Sequence, residues 1–336
     1  MDLKRIAIYP LGLLIALGAS SVLLILTGSN PISAFHAIFI GALGSAYGIS
    51  ETLVKATPLL LTALAFTLPH RAGFWNIGGE GQLFIGALFA WIVASSLGNL
   101  PSGISIPLIL IVSFLSGIIY ISLPLLLKVK AGINEVFLTV ILNFIAILLI
   151  NYLTVGPLKE PGNPNPQTAN IAIVTWLPRL ILGTRLHLGF LLPIFAAILV
   201  FIFLYRTSVG YKIQVVGTSL NAARYGGIEI SKMVVIAGFL GAGLAGMSGG
   251  IEILGIHHFL TARFPQNLGY LGILVAVLGR FNPIWEIPAA IFFAALLVGA
   301  ETMQRLAGVH YGMIFIIISL ITFVIIGFEK AIERRK

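Results

Sequence analysis

The stretch IAGFLGAGLAGMSGGIEIL, residues 236–254, decides how the rest of the chain is interpreted. The segment that begins at Gly241 matches the G-x-G-x-x-G pattern of dinucleotide-binding folds, but that pattern requires a strand before it and a helix after it. Here the glycines lie inside an apolar run. Small residues recur at every fourth position, at Gly238, Ala242, Gly246 and Gly250. Such residues let membrane helices approach closely, so the stretch predicts a tightly packed transmembrane helix.

The composition of the whole chain agrees with a membrane protein. Of its 336 residues, 58% are hydrophobic and 9% are charged, whereas soluble domains carry roughly 25% charged residues. This balance excludes a soluble globular protein and a disordered one. The net charge of +9 is therefore interpreted as a topology signal rather than as a sign of nucleic-acid binding.

The hydropathy pattern predicts an all-α fold, a polytopic bundle of about ten transmembrane spans that forms a single domain over residues 1–336. The predicted spans are 6–27, 51–69, 77–97, 105–127, 135–154, 188–205, 232–254, 267–280, 285–302 and 313–328. A span needs about 20 apolar residues. Residues 267–280 are short for this purpose, and eight spans remain an alternative to ten.

The distribution of cations supports an orientation with both termini on the cytoplasmic side. Under a ten-span layout, fourteen of the 20 Lys and Arg residues fall on that side, as the positive-inside rule requires. The six on the external side are Lys55, Lys159, Arg179, Arg185, Arg263 and Arg305. The layout makes 155–187 an external loop and 206–231 a cytoplasmic loop.

The stretch HRAGFWNIGGEGQ, residues 70–82, brings polar side chains into a predicted span. A charged group near the bilayer centre costs at least ~2.5 kcal/mol, so these side chains must face protein or a water-filled path. Glycine-broken helix starts are typical of transporter substrate sites. We predict Asn76, Glu80 and Gln82 as pathway residues. The alternative is that Glu80 pairs with a cation and only orders the helix entrance.

A polar stripe lies in the fifth predicted span, 135–154. Glu135, Thr139 and Asn143 are spaced by four residues and therefore share one helix face. Thr139 and Asn143 are candidates for the same path. The alternative is hydrogen bonding between neighbouring helices, which is slightly favoured for any one of these residues.

The 206–231 loop is longer than a connection requires. Its second half predicts a short helix and turn lying along the membrane, capped by Ser219 or Asn221. Such an element is typical of a docking surface for a soluble partner. The sequence contains neither a phosphate-binding loop nor an H-E-x-x-H motif. His257 and His258 fit an interfacial pair better than a metal site, and no catalytic or metal-binding residue is predicted.

These stretches, together with GYLGILVAVLGRFNP at 269–283, resemble the permease subunits of ATP-binding-cassette importers of the ribose, branched-chain amino acid and nucleoside family. The resemblance is strongest to the nucleoside permeases that depend on basic-membrane-protein-type lipoproteins. It implies a permease in the plasma (inner) membrane of a bacterium or archaeon, and an inverted internal repeat.

The resemblance also implies partners. The chain would work with an ATPase subunit, a second homologous permease and an external solute-binding lipoprotein, within membrane lipid and without nucleic acid. ATP would be bound by the ATPase, and the chain itself would hold no cofactor. The coupling helix would comprise Ser219, Asn221, Ala222, Ala223, Arg224, Gly226 and Gly227. The solute would be a nucleoside or a ribose-like compound.

An ion-coupled secondary transporter of a small polar solute is the alternative function. It would need acidic residues deep in several spans. Glu80, Glu252 and Glu301 all fall near predicted span ends. The permease interpretation is therefore preferred, and a membrane-embedded enzyme is disfavoured because no catalytic cluster is visible.

Overall fold

The computed structural model describes residues 8–262, 264 and 267–333, which form thirteen α-helices and no strand. Six of these helices are long and apolar enough to cross a membrane, or seven if one sharply bent pair counts as a single span. Each of the ten predicted segments corresponds to a helix. The chain is thus a multi-helix membrane protein. Lys4, Arg5, Arg263, Arg334, Arg335 and Lys336, which were used for the orientation, lie outside the described residues.

The chain divides into two compact units, one built from residues up to Ala56 and from Ile291 onward, the other from Thr57–Ala290. Two helices contribute to both units: α3 (Ala46–His70) and α12 (Pro283–Ala307). The first unit also contains α1 (Ile8–Leu26), α2 (Pro31–Leu43) and α13 (Met313–Glu333).

Close helix contacts hold the first unit together. The apolar helices α1 and α2 are bent by 118° across a four-residue break. Asn30 ends the break, because its side chain accepts the Ile32 N–H at 2.9 Å and caps α2. A Cβ on Gly299 would lie 2.5 Å from the Ile38 carbonyl oxygen, so this glycine lets α12 approach α2. Lys55 and Glu301 form an ion pair between α3 and α12.

The second unit contains eight further helices. They are α4 (Gly79–Ser96), α5 (Ser102–Ala131), α6 (Glu135–Val155), α7 (Leu191–Arg206), α8 (Ser208–Thr218), α9 (Leu220–Tyr225), α10 (Ile230–Glu252) and α11 (Leu268–Leu278). Local signals set their ends. Gly132 ends α5 in a left-handed conformation, and the Asn134 side chain accepts the Val136 N–H at 2.9 Å to start α6.

Helix α10 packs closely against α4 and α5 through the glycines of the opening stretch. A Cβ on Gly246 would collide with the Ser113 carbonyl oxygen of α5, and one on Gly250 would collide with the Ser113 hydroxyl. Gly238 packs on Leu125 of the same helix, while the Ala242 carbonyl lies against Gly117. The four small residues therefore occupy one helix–helix contact, where larger side chains do not fit.

The loop at 155–187 has an ordered path without long helices. Its backbone pairs with the segment after α10, where the Thr168 N–H donates to Leu260 O and the Ile171 N–H to His258 O, both at 2.9 Å. The His258 ring stacks on Trp176 with centroids 3.7 Å apart. Burial, and then the neighbouring His257, lowers the pKa of the His258 imidazole to about 4, so the stacked ring is neutral at pH 7.

Candidate functional site

Asn76 and Gln82 form a reciprocal pair of amides at the entrance of α4. The Asn76 amide donates to Gln82 Oε1 at 3.0 Å, and the Gln82 amide donates to Asn76 Oδ1 at 2.9 Å. The same Asn76 oxygen accepts the Gly78 N–H at 3.1 Å. Both side chains are buried. The pair therefore satisfies its own buried amides and one N–H of the glycine-rich turn.

The Glu80 carboxylate caps another helix. Its two oxygens accept the backbone N–H groups of Asn267 at 2.6 Å and Gly269 at 2.7 Å, at the start of α11. A negative charge is favourable there because the unpaired N–H groups of a helix start carry partial positive charge. Glu80 is fully buried. Among the described residues, its hydrogen-bond partners are these two backbone donors.

Asn143 connects three helices. Its Oδ1 accepts the Gly81 N–H of α4 at 2.7 Å, and its amide donates to Ile77 O and to the Tyr270 hydroxyl of α11, each at 2.9 Å. Asn143 is fully buried in α6. Tyr270 was not predicted as a site residue, although it lies in the 269–283 stretch that carries part of the family resemblance. Its hydroxyl connects α11 to the Asn143 side chain of the α6 stripe.

The rest of the α6 stripe also faces this region. Thr139 is buried, and its hydroxyl donates to Glu135 O at 2.8 Å. Glu135 forms an ion pair with Lys128 of α5 at 2.6 Å. A Cβ on Gly78 would lie 3.1 Å from Thr139 Cβ, so the stripe packs directly on the α4 entrance.

The five predicted pathway residues thus converge on the junction of α4, α6 and α11. We call Asn76, Glu80, Gln82, Asn143 and Tyr270 the polar junction. Its amides and carboxylate hydrogen-bond within the chain in this conformation. A solute that passed here would have to exchange these partners for its own hydroxyl or amide groups.

One fully buried acidic group, Glu286, was not predicted from the sequence. Glu286, in the first turn of α12, is fully buried and accepts a hydrogen bond from the Thr67 hydroxyl of α3 at 2.5 Å. The signal was present in the sequence, because an acidic residue shortly after Asn282-Pro283 marks a helix start. Within the described ranges, no group of three or more His, Asp or Glu side chains is arranged to hold a metal ion.

Helices α8 and α9 form a helix–turn–helix in the 206–231 loop. The Ser219 hydroxyl accepts the Ala222 N–H at 3.3 Å, so Ser219 rather than Asn221 caps α9. The Ile228 N–H donates to Ala223 O at 2.9 Å, and Gly227 adopts φ +65°, which together end the helix. Gly226 is the capping residue after Tyr225.

The side chains of α9 divide into an inner and an outer set. Ala223 is fully buried and therefore faces the interior of the loop. Asn221, Ala222 and Arg224 are exposed, as are the two large residues Leu220 (52%) and Tyr225 (95%). An apolar side chain as exposed as these is a candidate contact for a partner. Leu220 and Tyr225 were not predicted from the sequence, because their orientation depends on how α9 lies on the membrane domain.

Comparison with known proteins identifies one family. Residues 48–324 match the family described as branched-chain amino acid transport system, permease component. The chain is 31% identical to the glucose ABC transporter permease protein TsgB13 of Haloferax volcanii, over 95% of this chain and 86% of that protein. No solved structure matches.

Two further relatives carry nucleoside names. The chain is 30% identical to the nucleoside ABC transporter permease protein NupB of Lactococcus lactis, over 85% of this chain and 81% of that one. It is 27% identical to the guanosine ABC transporter permease protein NupP of Bacillus subtilis, over 95% of this chain and 92% of that one.

Proposed function

This chain belongs to the family of permease components of branched-chain amino acid transport systems, and on that premise we propose that it carries a nucleoside or a ribose-like solute. The chain is a transmembrane permease subunit of an ABC importer, and it is not an enzyme. Importers of this class combine a permease with an ATPase and a binding protein. The remaining questions are the solute, the path and the contacts with the partners.

The observation that carries the substrate proposal is the polar junction. Three of its five side chains are amides, Asn76, Gln82 and Asn143, and each amide offers both donors and an acceptor. Sugar hydroxyls also donate and accept, so a ribose ring can replace the partners that these amides have within the chain. The names of the relatives, nucleoside, guanosine and glucose, support the same class of solute. The path therefore follows Asn76, Glu80, Gln82, Thr139 and Asn143.

The topology proposal keeps the ten-span layout with both termini in the cytoplasm. The 155–187 loop then faces outward and receives the solute-binding lipoprotein, and a second homologous permease completes the path. Two glycine-broken polar segments, 73–82 and 267–283, support the inverted repeat. The membrane is the plasma (inner) membrane of a bacterium or archaeon. ATP binds to the ATPase subunit, and the permease holds no cofactor.

The coupling proposal assigns ATPase docking to α9 and its two caps. Ser219, Asn221, Ala222, Ala223, Arg224, Gly226 and Gly227 form this element, with Ala223 as its internal support. The outward side chains Leu220 and Tyr225 support the assignment because they are large, exposed side chains on α9 itself. Exposed aromatic residues often supply much of the binding energy of an interface.

We predict that Tyr225→Glu weakens ATPase binding by about thirtyfold, because a central aromatic anchor contributes about 2 kcal/mol. Leu182→Glu in the 155–187 loop is the matched control, since Leu182 is also 95% exposed. The measurement is the affinity of the purified ATPase for the permease complex in nanodiscs. Equal affinities for both variants would contradict the coupling assignment.

Uptake into proteoliposomes tests the function as a whole. The reconstituted permease pair, ATPase and binding protein should take up radiolabelled guanosine or ribose when ATP is enclosed with the ATPase and no ion gradient is present. Uptake that required a proton or sodium gradient and ignored ATP would favour the secondary transporter. Uptake of glucose alone would retain the importer and overturn the nucleoside or ribose assignment.

A further inference from the structure

Arg71 follows the last residue of α3 and contacts three other parts of the second unit. Its guanidinium donates to Phe281 O through Nε at 3.1 Å and through a terminal nitrogen at 2.7 Å. The same terminal nitrogen donates to the Tyr205 hydroxyl of α7 at 3.0 Å. The backbone of Arg71 lies against Gly217, where a Cβ would collide with the Arg71 carbonyl oxygen. No contact of this kind was predicted from the sequence.

The contact at Gly217 links Arg71 to the coupling element. Gly217 precedes Ser219, the cap of α9, by only two residues. Its Cα would lie 3.7 Å from a Cβ on Gly73, so two glycines allow the backbones of this loop and of the 71–73 turn to approach. Gly217 lies in the last turn of α8, which leads directly into α9, so a displacement at this end of α8 pushes on backbone atoms rather than on flexible side chains.

The contact at Phe281 links Arg71 to the far end of α11. The turn after α11 contains two consecutive non-glycine residues in the left-handed region, Arg280 at φ +57° and Phe281 at φ +54°. Such backbone persists only where its surroundings hold it. The paired hydrogen bonds from Arg71 hold the Phe281 carbonyl in this turn. The His70 ring adds to the contact, since the centroids of the His70 and Phe281 rings are 4.0 Å apart.

Helix α11 is thus held at both ends. Arg71 holds the turn at its C-terminal end, while Glu80 caps its N-terminal end at Asn267 and Gly269. Tyr270, on the first turn of α11, hydrogen-bonds to Asn143. A shift of this 11-residue helix therefore changes the hydrogen bonds of the polar junction.

From this arrangement we infer that Arg71 is the positioning residue that transmits movement of the coupling element through α11 to the polar junction. The inference rests on the proposed coupling role of α9 and deepens it. Arg71 does not touch the solute. It ties the strained 280–281 turn to the segment against which Gly217 packs, so that α9 and α11 move together.

The test compares Arg71→Met and Arg71→Lys with Lys130→Met in the full reconstituted importer. Lys130 is an exposed cation at the end of α5, outside the coupling element. For Arg71→Met we expect normal ATPase binding, near-normal ATP hydrolysis and a fall of roughly tenfold in solute transported per ATP. For Arg71→Lys we expect a ratio of transport to hydrolysis between those of the wild type and Arg71→Met, because a lysine keeps the charge without the planar fork of donors.

The ratio of transport to hydrolysis separates transmission from simple stabilisation. A parallel loss of uptake, hydrolysis and complex yield in Arg71→Met would overturn the inference, as would an unchanged ratio. Failure of the proposed function is a different result: the wild-type complex itself would not couple ATP hydrolysis to uptake. The Lys130→Met complex should keep the wild-type ratio.

Discussion

Replacing Glu80 with alanine is expected to reduce uptake at least thirtyfold and to lower the stability of the permease. The substitution removes both acceptors from the start of α11, and a hydrogen bond to a charged group contributes about 1.5–3 kcal/mol. The Gly269 N–H is buried, so leaving it without an acceptor adds a desolvation cost. Helix α11 would then lose its position against α4.

The measurement is uptake per assembled complex, together with the thermal unfolding midpoint. Glu301→Ala is the matched control, because Glu301 is 54% exposed and its ion pair with Lys55 should contribute only about 0–1 kcal/mol. The variant Glu80→Gln separates the capping of α11 from a requirement for negative charge in the path. A glutamine still accepts one N–H, so a variant that keeps its stability but loses uptake would show that the path requires the charge. Wild-type behaviour of Glu80→Ala would contradict the capping role.

Gly246→Leu is expected to prevent correct packing of α10, with a loss of about 3 kcal/mol or more. Even a single Cβ at this position would meet the backbone of α5 at Ser113 and Gly117, and backbone atoms cannot move aside as a side-chain tip can. Helices in membranes depend on such packing because lipid tails are as apolar as leucine. The fraction of monodisperse protein after extraction should therefore fall sharply.

Gly18→Leu is the control for this prediction. Gly18 lies on α1, where a Cβ would meet nothing within 4 Å, and it undergoes the same change in volume and helix propensity. Its yield and unfolding midpoint should remain near the wild-type values. If both leucine variants lost stability equally, the cost would come from the glycine substitution itself rather than from the α5–α10 contact.

The helices and the membrane class could be predicted from the sequence because they depend on local information. Backbone hydrogen bonds in a helix join residues four apart, and hydropathy over about 20 residues reports whether a segment can enter the bilayer. The small residues from Gly238 to Gly250 could be interpreted for the same reason, since they lie on one face at a fixed spacing. The family resemblance also came from the sequence, through stretches spread over most of the chain.

The number of spans was harder to predict. Helix α4 carries the buried polar residues Glu80 and Gln82, and α11 is apolar but only 11 residues long, so neither matches the pattern of a full-length helix surrounded by lipid. Only the tertiary structure shows that they meet at Glu80 and Gly269.

The partners of the functional side chains were decided by tertiary structure alone. Glu80 caps a helix start 187 residues away, Asn143 binds Tyr270 across 127 residues, and Thr67 donates to Glu286 across 219. The sequence indicated that these polar groups had to be shielded from lipid, because an unsatisfied polar group costs several kcal/mol there. It could not say which group satisfies which, since hydrogen-bond partners depend on how distant helices pack. The inward orientation of Ala223 and the position of Arg71 between the coupling element and α11 have the same origin.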